Sequence, residues 1–182
     1  SFFIGSYFFN KKIGYLTAFF FSINGLIIEL TAGRVATDHI DIFFLFFIEL
    51  AVVFSILFAQ KRKTICNILA GVSMGAAILS KWLPALIVLP IWLLIVLDSE
   101  KFKPKEIFFQ FIILLTTSIF IFLPWQLYIF KEFPAEATWE ASFNFKHITE
   151  VLDERTGPFY YYIDRIRINY GELIYLPLIW FL

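Results

Sequence analysis

The sequence predicts an all-α fold, a polytopic transmembrane helix bundle, on three observations. Of 182 residues, 60% are hydrophobic and 25 are Phe, and the mean hydropathy is +0.79, a composition outside the range of soluble domains. Apolar runs able to cross roughly 30 Å of hydrocarbon recur along the chain. Most charges fall outside those runs, as the cost of placing them in lipid requires. The formal net charge of zero gives no reason to expect nucleic acid or another polyanion as partner. A single cysteine, Cys66, excludes an internal disulfide, and no Cys/His spacing suggests a metal site.

Residues 1–9 form an apolar piece that stops at Asn10-Lys11-Lys12. Residues 13–30 then read as one full span, and the two pieces as a helical hairpin. A second span, 40–59, ends at Gln60-Lys61-Arg62-Lys63, and a third, 65–80, ends at Lys81. In that third span Gly71-Val-Ser-Met-Gly75 is a small-xxx-small pattern, read as a packing device. Residues 82–97 are shorter, with Pro84 tolerated near the start and a kink expected at Pro90. A loop at 98–105 precedes a long span over 106–128. Residues 1–130 are thus expected to form the bundle and 131–172 an outer loop with interfacial helices, with 173–182 opening a further span. Within the loop, 135–152 reads as a surface helix, with Trp139 and Phe143 at i,i+4, and Gly157-Pro158 separates it from a second. The chain starts and stops inside apolar runs, so both ends are expected to be cut from a longer protein.

Counting basic residues in short connections orients the bundle. Those at 10–12, 60–64 and 98–106 hold eight Lys or Arg, whereas the opposite face holds Arg34 and Lys81. The first set is therefore expected in the cytoplasm, and residues 29–41, Lys81 and the long loop on the other side.

Three polar stretches then share one face. Arg34, Asp38 and His39 either face an anionic, lipid-linked substrate or cap two helices and pair with each other. Asp38, Asp41, Leu45 and Glu49 form one stripe on the second full span. Glu49 lies near mid-membrane, where it is expected to be neutralised or paired as a packing device. Lys81 either snorkels to the interface or places a compact positive charge on a phosphate. The Tyr160-Tyr161-Tyr162 run either anchors at the interface or stacks on a sugar; Tyr161 is the candidate for substrate contact.

Four strings occurring in order carry a resemblance: Arg34-Val-Ala-Thr-Asp38, Ile78-Leu-Ser-Lys-Trp-Leu-Pro84, Leu123-Pro-Trp125 and Thr156-Gly-Pro-Phe-Tyr-Tyr-Tyr162. Together they resemble the bacterial relatives of the dolichyl-phosphate-mannose protein mannosyltransferases, among them the lipid A aminoarabinose transferase. The resemblance implies a membrane glycosyltransferase of the C-type fold in the bacterial inner membrane. Its sugar would come from a polyprenyl-phosphate carrier and pass to an acceptor (lipid, glycan or protein) on the extracytoplasmic face, among membrane lipids. By the same resemblance Asp38 matches the carboxylate of the family's Arg…Thr-Asp motif and is the candidate catalytic residue here; Arg34, His39, Lys81 and Tyr161 are the candidates for binding substrate. Asp38 either orients the acceptor or binds a divalent cation; no other cofactor is implied. Lys81 matches the lysine of the family's Leu-Thr-Lys-Gly-Pro motif beside the donor phosphate, although Ser80 and Trp82 replace Thr and Gly. Relatives often carry Gly-His before Gly-Pro-Phe, where this chain has Glu154-Arg155-Thr156, so no histidine role is carried over there. The family's acidic base belongs to an outer loop expected upstream of Ser1.

A transporter or flippase subunit for an anionic lipid or solute is the alternative, with Lys81, Glu49 and Asp41 along its path. Such proteins carry internal repeats and helices broken at midplane. The sequence shows no repeat, which ranks this reading second, ahead of a purely structural subunit.

Overall fold

The computed structural model describes residues 1–33, 40–150, 160 and 175. Among them every regular element is helical: α1 (Phe2–Phe8), α2 (Lys11–Ser22), α3 (Gly25–Thr31), α4 (Ile40–Lys61), α5 (Thr64–Lys81), a 3₁₀ turn (Leu83–Ile87), α6 (Val88–Asp98), α7 (Pro104–Glu132) and α8 (Pro134–Thr149). Helices α4, α5 and α7 are each long and apolar enough to cross a membrane. The chain divides into two compact units, Ser1–Ile23 with Ile27–Trp125 and Asn24–Leu26 with Gln126–Leu182. The first holds the described candidate residues.

Helices α1 and α2 form the expected hairpin. Asn10 caps α2 through its side chain, which accepts from the Ile13 amide at 3.1 Å, satisfying one of the helix's free N–H groups. A Cβ added to Gly14 would lie 2.8 Å from the Phe2 carbonyl oxygen, so glycine here lets the two backbones approach closely.

The single span expected over 13–30 is instead a bent pair. Helices α2 and α3 meet at 56° across Ile23-Asn24, and the Asn24-Gly25 dipeptide at the break is itself a turn signal. The short apolar segment after Lys81 also differs from expectation. It enters as the 3₁₀ turn and becomes α-helical at Val88, which places Pro90 in the first turn of α6, where its missing N–H removes no intrahelical bond. Helix α7 runs through Pro124 to Glu132, beyond the expected end near 128. Proline is tolerated inside membrane helices where local adjustments satisfy the freed carbonyl.

The core lies between α4, α5, α6 and α7. One cluster joins Ala51, Met74, Ala77, Ile78, Ala85 and Val88; a second joins Phe58, Cys66, Ala70, Trp92, Val96 and Leu114. Gly71 and Gly75 act as the packing devices expected of them. A Cβ at either would come within 2.7–2.8 Å of an α7 carbonyl oxygen, Leu114 or Ser118 respectively, so the helices meet backbone to backbone. Helix α7 turns Phe108, Phe109 and Phe120 outward, each at least 65% exposed, which suits contact with acyl chains and not with water.

Candidate functional site

Helices α4 and α5 run antiparallel, so the start of α4 and the end of α5 lie at the same end of the bundle. There Lys81, the last residue of α5, donates from Nζ to Asp41 Oδ1 at 2.6 Å. The Lys81 side chain is 45% exposed, so screening limits this pair to about 0.2–1 kcal/mol. An incoming anion could therefore take the lysine from its carboxylate at little cost.

The backbone turns sharply at the next residue. Trp82 has φ 29° and ψ −115°, a region that L-residues with a side chain rarely enter and that costs about 1–3 kcal/mol. This is the position at which the resembled motif carries glycine. The turn here is thus formed by a strained tryptophan. Ser80, in place of the motif's threonine, donates its hydroxyl to the Ala76 carbonyl at 3.0 Å.

Beyond the turn lies an apolar groove of about 230 Å³ lined by Met74 and Ile78 of α5, Trp82 and Leu86 of the turn, and Leu115 and Phe122 of α7. Ser118 also lines it, and its buried hydroxyl has no partner among the described residues. Lys81 therefore directly precedes, along the chain, a residue of the groove wall. That arrangement can hold an amphiphile with an anionic head and a hydrocarbon tail.

Of the sequence candidates, the structure describes Lys81. Arg34, Asp38, His39 and Tyr161 lie outside the described residues. Asp41, on the acidic stripe, is the partner of Lys81, a role the sequence reading did not assign; its spacing of three residues from Asp38 was the available signal. The stripe's third carboxylate, Glu49, is half-buried on α4. Among the described residues no group of three or more His, Cys, Asp or Glu side chains could hold a metal ion.

A second polar constellation lies toward the other end of α5 and escaped the sequence reading. Asn67, fully buried, donates to the Gln110 carbonyl at 2.7 Å and to its side-chain oxygen at 2.9 Å. Its own oxygen accepts from Trp92 Nε1 at 2.8 Å. These bonds join α5, α6 and α7 and contain no titratable group, so their role is to hold the bundle.

The family model described as dolichyl-phosphate-mannose-protein mannosyltransferase matches residues 2–128. No curated protein and no solved structure matches the chain.

Proposed function

The chain belongs to the dolichyl-phosphate-mannose-protein mannosyltransferase family, membrane glycosyltransferases of the C type, and on that premise we propose that it moves a sugar from a polyprenyl-phosphate carrier to an extracytoplasmic acceptor. That the chain is an integral membrane protein follows from its family and its spanning helices. The donor, the acceptor side and a place in the bacterial inner membrane are part of the proposal. The observation that carries it is the seating of Lys81 beside the apolar groove.

In this reading the groove takes the first isoprene units and Lys81 takes the phosphate. An acceptor oxygen bonds to the anomeric carbon as the bond from that carbon to the phosphate oxygen breaks, and the acceptor's proton passes to a carboxylate. Negative charge grows on the departing polyprenyl phosphate, and a fixed cation aimed there lowers the barrier. Asp41 holds the ammonium near that position until the phosphate replaces it. Asp38 orients the acceptor directly or through a divalent cation, and Arg34, His39 and Tyr161 complete the substrate contacts.

The test is sugar transfer from a radiolabelled polyprenyl-phosphate donor in membranes with matched expression. Lys81→Ala is expected to lose about 10²–10³ in rate, whereas Lys101→Ala, which removes an exposed lysine from a basic connection, retains activity. Equal activities would reduce Lys81 to a snorkelling anchor. Adding EDTA separates the roles of Asp38, because only the cation-mediated one is abolished by it.

A further inference from the structure

The opposite end of the bundle carries a second cleft that the transfer reaction does not use. Its volume is about 280 Å³, and Phe58, Arg62, Phe102, Lys105 and Phe109 line it together with Glu106 and Gln110. We propose that this cleft is a headgroup site for an anionic phospholipid of the surrounding bilayer.

The walls are built before any ligand arrives. Arg62 closes α4 with a left-handed backbone, φ 54°, and its guanidinium lies over the Phe102 ring, 5.0 Å from the centroid. Its Nη2 donates to both Glu106 oxygens, at 3.0 and 3.1 Å, and Glu106 also accepts from the Lys103 amide at 2.9 Å. That last bond is half of a capping box at the start of α7, with the third helical residue reaching back to the residue before the helix. The carboxylate in the cleft is therefore already engaged by a cation and a backbone donor.

Positive charge remains in excess around it. Residues 60–64 and 98–106 carry six Lys or Arg against three Asp or Glu. Lys61, Lys63, Lys101, Lys103 and Lys105 form no ion pair among the described residues. Short basic segments at a membrane boundary attract anionic headgroups, and basic pockets between spanning helices seat them.

The vertical order of the lining points to a lipid and not to a free anion. Lys105 and Phe109 stand at i,i+4 on one face of α7, about 6 Å apart along its axis. Phe109 is 70% exposed on a helix long enough to cross the membrane. A phosphodiester at the level of Lys105 thus sets its acyl chains against Phe109. Inorganic phosphate would leave that aromatic wall unused.

Native mass spectrometry of the detergent-purified protein reads the occupancy directly. Dioleoyl phosphatidylglycerol is expected to bind more tightly than dioleoyl phosphatidylcholine, and Lys105→Gln to weaken the former about fivefold while leaving the latter unchanged. Lys11→Gln removes the same charge from a different basic connection and is expected to change neither by as much as twofold. Lys105 is exposed and unpaired among the described residues, so an unchanged melting temperature confirms that the variant is folded. Equal binding of the two lipids would overturn the proposal, as would an equal loss in Lys11→Gln, which would indicate a diffuse field. Displacement of phosphatidylglycerol by inorganic phosphate at constant ionic strength would overturn the choice of lipid over free anion.

Discussion

Trp82 carries both a backbone turn and part of the groove wall. Its positive φ is a position for glycine, while its indole forms part of the groove wall. The two contributions separate by substitution. Trp82→Ala removes the wall and keeps the strain, because a Cβ remains; Trp82→Gly removes both. In thermal unfolding in detergent, Trp82→Gly is expected to be more stable than Trp82→Ala by about 1 kcal/mol, despite glycine's greater backbone entropy in the unfolded chain. The reverse order would mean that Trp82 is not held at positive φ. The sequence already marked this residue, because it stands where the resembled motif has glycine, but only the backbone shows its positive φ.

At the scale of elements, what could be read from sequence was whatever has a period or a volume. Gly71 and Gly75 were legible because two small residues four apart have one common use in a membrane helix, and both meet α7 backbone. Trp139 and Phe143 were legible by their i,i+4 spacing and stack at 5.3 Å in α8. The break between α2 and α3 was missed because the apolar run outweighed Asn24-Gly25, and the last turn of α7 because the apolar run gives way to Lys131-Glu132. Asn67 gave no signal at all, since its partners are 25 and 43 residues away. Its importance is measurable by a double-mutant cycle. Asn67→Ala leaves Trp92 Nε1 and the Gln110 oxygens with one partner fewer in a buried setting, and is expected to cost about 1–3 kcal/mol. Trp92→Phe should cost less in that background than alone, with a coupling of at least about 0.5 kcal/mol. Additive losses would mean that the three helices are held by packing and that the hydrogen bonds are incidental.

For the whole molecule, the contacts gather the basic connections at one end of the bundle and leave Lys81 at the other, and which end is cytoplasmic is the expectation to test. The count separates three basic connections from Arg34 and Lys81, and the contacts bring two of those connections together, since Arg62 and Glu106 bond at 3.0 Å. Tyr7, near the third, packs on the cluster of Val52, Ile56, Ala59 and Ile95, toward the same ends of α4 and α6. Lys81 and Asp41 pair at the other end of α4. Helix α7, with 29 residues, is about 43 Å long and exceeds the hydrocarbon thickness, so residues after Glu132 are expected to emerge opposite Lys103. In a Cys66→Ser background, Lys63→Cys and Lys103→Cys are expected to be shielded from an impermeant thiol reagent in intact cells, while Glu140→Cys reacts. Lys63, Lys103 and Glu140 are all exposed, so differences in labelling report the side of the membrane and not burial, and permeabilised cells should label all three. If Lys103→Cys were labelled and Glu140→Cys protected, the bundle would be inverted. Lys81 would then face the cytoplasm, and a lipid-linked donor on the outer leaflet could not reach it.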